Sequence, residues 1–462
     1  MSAAPRTGPL SPIESAAVRL YEREAKVYLD RRPSSAKAVA SDLPGFLDGM
    51  PLHWMLDWPM PAPLVVERAK GATLTDIDGN RLTDFCLGDT GAMFGHAPGP
   101  VARALAGRGD LGLTTMLPST DAPVVGALLA AIFGLPHWQV ATTASDANRF
   151  ALRAARAVTG RRKILVFDGC YHGAVDETLV DLVEGRTVPR SSLLGSAFDA
   201  GQTTVAVPFN DLAALEAALA GRDIACVIAE PVMTNCSMIQ PQPGFHAALR
   251  RLTRETGTLL IIDETHTIST GYGGYTRVHG LEPDLFVVGK PVAGGVPTSV
   301  WGMSDAVAAA LEKARADRPA GHSGMGTTLS GSALQLACLR ACLGEVMTPE
   351  AYVRMETHAA AIAEGFSATI HEHRLPWHVS RVGARLEVVF RAEPLVNAED
   401  AHAAASAELE RALHLGLLNR GFLVTPFHNM VLVCPAITGE NAAGLTAAFD
   451  EVVSLLAAGA DL

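Results

Sequence analysis

The sequence predicts an α/β protein: a large domain on a mainly parallel sheet, joined to a smaller α+β domain. Three observations carry that expectation. Residues 101–343 alternate helical segments (121–133, 146–158, 211–220, 245–256) with short apolar runs (163–167, 204–207, 226–229, 258–262, 285–288), the pattern of successive βαβ units. Beyond about residue 343 the composition turns Ala- and Glu-rich and helical, after which 377–390 and 421–436 read as strands of a second unit. The stretch 257–297, GTLLIIDETHTISTGYGGYTRVHGLEPDLFVVGKPVAGGVP, holds two β-branched runs, one ending at Asp263 and the other at Lys290.

A length of 462 residues with 48% hydrophobic side chains is enough for two domains and a large core. The expected division is an N-terminal helical arm (1–50), an N-terminal part of the small domain (51–90), the large domain (91–344) and the C-terminal small domain (345–462). A formal charge of −11 without a basic run argues against nucleic acid or an anionic membrane as partner. The N-terminus has no apolar core of signal-peptide length, and no window reads as a membrane span. Seven scattered cysteines fit reduced thiols, so a cytoplasmic protein is expected.

Within the arm, residues 11–30 carry apolar side chains at helical spacing, with Ser11 as N-cap and Pro12 at the first helical position. The segment 51–63, PLHWMLDWPMPAP, is too rich in proline for helix or strand. In 72–86, Asp78-Gly79-Asn80 reads as a turn between two short strands. The Gly-rich loop that follows suits close backbone approach to a ligand or serves as surface loop.

In open α/β sheets ligands sit beyond the carboxyl ends of the strands, where Asp263 and Lys290 would both be delivered. One reading is structural, with Asp263 capping a helix and Lys290 solvated. The other is chemical: a desolvated lysine amine forms a Schiff base with an aldehyde, and an aspartate keeps a pyridinium nitrogen protonated. Among the six lysines, Lys290 alone follows an apolar run and precedes a Gly-rich turn. Thr142, Thr143 and Ser145 open the helix at 146–158, and helix N-termini with hydroxyls bind phosphate, although an ordinary N-cap explains them locally.

The segments VIAEPVMTNCSMIQPQPGFHAALRRL (227–252), LLIIDETHT, YGGY, PDLFVVGKPVAGGVP and TTLSGSA occur in this order. On these the chain resembles the class III, fold type I pyridoxal-phosphate aminotransferases, from about residue 72 to the C-terminus. Within them it is most similar to the glutamate-1-semialdehyde aminomutase and β-amino-acid transaminase branch. The resemblance implies pyridoxal 5'-phosphate as cofactor, Lys290 as Schiff-base lysine and general acid/base, and Asp263 on the ring nitrogen. The family's Ser-Gly-(Ser/Thr)-Glu-Ala falls on 143–147, which makes Ala144 and Ser145 phosphate-site residues. Here the chain departs at Ala144 and Asp146. Thr328 matches a threonine that crosses from the partner subunit, which implies a homodimer with a shared active site.

Tyr171 takes the family's ring-stacking position, with His172 beside it. Thr265 stands where a Val or Ile faces the ring. His266 either reaches the cofactor's phenolic oxygen or sits in the loop, and Glu230 supports the site with Asn235 nearby. Trp54 lies in a region that approaches the substrate pocket in the family, though aromatic clusters of this kind are more often packing. Arg385 is the first candidate to grip a substrate carboxylate, ahead of Arg381 and Arg420. No arginine stands in 425–429, where β-amino-acid transaminases carry one, and this counts against that specificity. The activity expected first is ping-pong transfer of an amino group from an amine or amino acid to a keto acid, aldehyde or ketone. The alternatives are an intramolecular aminomutase, a decarboxylase or racemase on the same scaffold, and an inactive cofactor-binding protein.

Overall fold

The computed structural model describes residues 9–38, 45–196 and 198–460. They form two compact units. One draws on 1–98, 353–394 and 402–462, the other on 99–352 and 395–401.

The second unit is built on a seven-stranded sheet in the order His137–Ala141, Ser299–Met303, Leu285–Val288, Leu259–Asp263, Ile224–Ala229, Lys163–Phe167, Thr204–Val207. The last five are mutually parallel, and Ser299–Met303 runs antiparallel to both of its neighbours. Every residue of Ile224–Ala229 and Leu285–Val288 is buried, as parallel strands covered on both faces require. The five parallel strands are the five apolar runs of the sequence, whereas the antiparallel pair gave no such signal. His137–Ala141 is half polar and exposed along one side, and Ser299–Met303 is broken by Gly302. That glycine is demanded by its cross-strand partner, because a Cβ there would lie 2.8 Å from the Trp138 ring. A two-stranded ribbon, Val180–Val183 with Arg186–Pro189, was also not legible in advance.

Several helices of this unit end where glycine permits the left-handed turn that closes them. Ala144–Thr159 stops at Gly160 with φ 68° and Phe245–Thr256 at Gly257 with φ 65°. The latter helix buries Phe245, Leu249 and Leu252. Phe245 meets Phe167 and Phe209 at ring-centroid distances of 5.5 and 4.5 Å.

In the first unit the helix Pro12–Arg31 starts at a capping box of Ser11 and Glu14 and packs on the helices Ala407–Asn419 and Gly439–Gly459. It buries Ala17, Leu20 and Tyr28. Where the sequence suggests an arm, the helix is therefore part of this unit's core, with Tyr28 among Leu74, Leu82, Leu415, Leu418 and Leu423. Arg32, at its end, forms a buried ion pair with Asp76 at 3.1 Å. Two small sheets complete the unit: Val66–Lys70, Thr73–Asp76, Arg81–Asp84 and Phe422–Leu423 in one, His378–Val382, Arg385–Val389 and Val431–Leu432 in the other. Gly439–Gly459 is long and apolar enough to cross a membrane by length and composition, but it buries Leu445, Phe449, Val452, Val453 and Leu456 inside the protein. All seven cysteines are buried and unbridged.

Candidate active site

Asp263 and Lys290 come from adjacent parallel strands. Asp263 lies opposite Val287, and the amide of the next residue, Glu264, donates to Val287 O at 2.8 Å. Lys290 follows that strand by two residues, at the head of the single turn Lys290–Ala293. Its φ of 47° is a left-handed conformation that costs a non-glycine residue about 1–2 kcal/mol, a strain often held at functional sites. Gly289 fixes the approach, since a Cβ there would come within 2.9 Å of the Ala144 methyl. Lys290 Nζ lies 2.8 Å from His266 Nε2.

The Asp263 carboxylate is buried and well supplied with donors. Oδ2 accepts from Asn148 Nδ2 at 2.8 Å and from His172 Nδ1 at 2.9 Å, and Oδ1 accepts from the Thr265 amide at 3.1 Å. Burial alone would raise its pKa. The hydrogen bond and charge of His172, with Thr265 and Asn148, outweigh burial and hold it below the usual carboxylate value. Burial likewise opposes a charge on His172, but Cys170 and Asp263 beside the ring carry its pKa well above the ordinary value. The pair thus favours an ionised Asp263.

The helix Ala144–Thr159 begins beside this group. Thr143 caps it, its Oγ1 accepting from the Asp146 amide at 3.1 Å, and Ser299 Oγ donates to Thr143 O at 2.6 Å. Asp146 keeps its carboxylate at the cap, where Thr143 Oγ1 donates to Oδ2 at 3.0 Å. Ser145 Oγ accepts from the Ala174 amide at 3.0 Å. That approach needs Gly173, whose φ is 86° and whose Cβ, if present, would sit 2.9 Å from Ser145 Cα. The methyl that replaces the family's glycine at Ala144 packs toward Gly289.

Tyr171 is 44% exposed, while its amide donates to Glu230 Oε1 at 3.1 Å. Glu230 Oε2 accepts from the Thr234 amide at 3.0 Å and from Thr234 Oγ1 at 2.7 Å, and Asn235 Nδ2 lies 3.3 Å from the same oxygen. The buried Glu264 carboxylate takes Thr267 Oγ1 at 2.6 Å, the Tyr275 amide at 3.1 Å and the Thr276 amide. It thereby folds the Gly-rich segment back onto the strand end. Thr265 Oγ1 is buried without a hydrogen-bond partner.

The second unit therefore gathers Lys290, His266, Asp263, Thr265, His172, Tyr171, Glu230, Ala144 and Ser145 beyond the carboxyl ends of its strands. Thr328 belongs to this unit but is exposed; its neighbour Thr327 lies 3.4 Å from Thr142 through their Oγ1 atoms. Trp54 and Arg385 belong to the first unit. Trp54 is 39% exposed in the short turn His53–Leu56, while Arg385 is fully buried and donates to Thr90 Oγ1.

Asn148 is absent from the sequence-derived set. It is fully buried and bridges His172 O and Asp263 Oδ2. A signal existed: Asn148 shares the helix face of Ala151, Leu152 and Ala155, all buried, and a polar side chain on such a face needs a partner.

The Aminotransferase class-III family profile matches residues 57–453. A curated protein from Bacillus cereus, glutamate-1-semialdehyde 2,1-aminomutase 2, is 33% identical over 369 residues, covering 79% of this chain and 84% of its own. Among solved structures, a glutamate-1-semialdehyde-aminomutase from Pseudomonas aeruginosa PAO1 is 49% identical with a TM-score of 0.93, covering 96% of this chain and 99% of its own. A variant of that enzyme was solved in complex with PMP. An omega-transaminase from Sphaerobacter thermophilus is 25% identical with a TM-score of 0.83, over 93% of this chain and 99% of its own.

Proposed function

The chain belongs to the class-III aminotransferase family, and within it we propose a pyridoxal 5'-phosphate-dependent aminomutase of the glutamate-1-semialdehyde type. The substrate class is a small amino aldehyde that carries a carboxylate. The expectation of ping-pong transamination thus gives way to its alternative. The supporting observation is that the relatives at 33% and 49% identity, matched over most of this chain's length, carry that activity in their names, while the omega-transaminase is 25% identical.

The residues present fit the cofactor. The ionised Asp263, fixed by three donors, suits a protonated ring nitrogen. The Thr143-capped helix offers amides to a phosphate, Tyr171 presents an accessible ring face, and Lys290 offers its amine. When bound, the cofactor supplies an aldehyde to hold the substrate amine and an electron sink for the carbon beside it. Asp263 maintains the charge that makes the sink effective, and Lys290 Nζ serves as general acid/base for the 1,3-proton shift. Glu230 orients Tyr171 through its amide, and Ser145 orients the 172–174 turn. A homodimer is proposed from the resemblance, with Thr328 reaching the partner's phosphate site. Roles for Trp54 and Arg385 in substrate binding rest on the resemblance alone.

The test is turnover of glutamate 1-semialdehyde by the holoprotein with no added keto acid. Conversion of this single substrate supports the aminomutase. Turnover that requires a separate amino donor and carbonyl acceptor would return the reading to an aminotransferase.

A further inference from the structure

We infer that His266 is the resident proton partner of Lys290: its Nε2 holds the lysine amine by a hydrogen bond whenever that amine is free of covalent attachment. The inference rests on the reading of Lys290 as the reacting amine. Its observation is the 2.8 Å separation of Lys290 Nζ and His266 Nε2, with His266 only 8% exposed.

Both side chains leave backbone that is held from several directions. His266 follows the turn in which the Thr265 amide is bound by Asp263 Oδ1, and Glu264 fixes that turn to Val287. Val287 lies in the strand that delivers Lys290, and Gly289 is confined between Ala144 and Ser299. The sheet register therefore fixes the two backbone origins relative to each other and keeps the lysine and imidazole side chains within reach. Such pre-organisation is what proton transfer needs.

With the imidazole proton on Nδ1, Nε2 accepts an N–H of the Lys290 ammonium. The proton balance is closed. As a neutral amine, Nζ takes a proton from a substrate carbon and becomes the ammonium, and the electron pair of that C–H bond passes into the electron sink that the bound cofactor would supply. The ammonium gives one N–H to Nε2 as a hydrogen bond and is thereby kept in place. Nζ then gives that proton up at the other end of the 1,3-shift and is the neutral amine again, with His266 unchanged. His266 touches the reacting amine directly, so its substitution should disturb the proton transfer more than binding.

The apoprotein gives the first readout. With ¹⁵N-labelled histidine, the His266 Nε2 resonance should move on Lys290→Met while the other histidines stay; an unmoved resonance overturns the pairing. For the holoprotein, exchange of the substrate carbon-bound hydrogen in D₂O should fall about 100-fold in His266→Phe, with KM changed only a few-fold and a partial recovery in His266→Gln. Exchange at the wild-type rate in His266→Phe overturns the proton role. If wild type forms no visible absorption band with the cofactor, the functional reading fails, and the apoprotein resonance still decides the pairing.

Discussion

Asn148 donates to Asp263 Oδ2 at 2.8 Å across 115 positions of sequence. The bond ties the helix whose N-terminus is offered to phosphate directly to the strand whose end carries the carboxylate. One amide thus fixes the spacing between the two ends of the proposed cofactor site, and its second hydrogen bond, to His172 O, sets the base of the segment bearing Tyr171. Such outer partners commonly decide how well a site is oriented.

Removing Asn148 should therefore be felt at Asp263. Asn148→Ala is expected to cost about 1.5–3 kcal/mol, the range for hydrogen bonds to charged groups, in denaturant unfolding at pH 7. The folded Asp263 pKa is depressed, so its contribution is present above the ordinary value of 3.8 and is lost as pH falls through the folded value. Fewer donors raise the folded pKa, and acid unfolding of Asn148→Ala should set in at higher pH than in wild type. Coincident acid transitions would remove Asn148 from the account.

Gly173→Ala tests the contact between the 172–174 turn and the helix start. Its φ of 86° disfavours a side chain, and the new methyl would meet Ser145. A loss of about 1–3 kcal/mol is expected from the forced shift, together with weaker cofactor retention on dialysis. Unchanged retention and melting temperature would contradict the geometry.

The left-handed Lys290 supplies a backbone test that needs no cofactor. Lys290→Ala keeps the strain of φ 47°, whereas Lys290→Gly relieves about 1–2 kcal/mol and adds chain entropy to the unfolded state of about 0.5–1 kcal/mol. The glycine variant should be the more stable of the two apoproteins by up to about 1.5 kcal/mol. A less stable glycine variant would argue against the left-handed lysine.

His246, on the helix after Glu230-Pro231, donates from Nε2 to Pro231 O at 2.9 Å. Burial lowers its pKa from 6.5 to about 4, against the Pro231 hydrogen bond and with help from His279. The unfolded state binds the proton first, so stability is complete above about 6.5 and falls as pH drops toward about 4, at about 1.4 kcal/mol per pH unit. His246→Phe should flatten that stretch of a urea stability profile. An equally steep profile would assign the loss elsewhere.

Features that act within a few residues are legible from the chain's residues alone. The five parallel strands and the helix Phe245–Thr256 were legible because continuous β-branched runs and flanking glycines act within a few residues. Asp263 and Lys290 stood out because each closes such a run. Ser11 and Pro12 announced the first helix for the same reason, through capping chemistry confined to one turn. The tertiary structure decided everything that depends on register. Ser299–Met303 is a strand because His137–Ala141 and Leu285–Val288 lie on either side of it, and Gly302 carries meaning only opposite Trp138. The first helix became core because helices some 400 positions later cover its apolar face. Asn148 looks like an ordinary polar residue, and His172 and His266 have no identified partners, until sheet pairing brings Asp263 and Lys290 within hydrogen-bond reach of them. A hydrogen bond acts over about 3 Å, and only the folded chain puts residues so distant in sequence within that range.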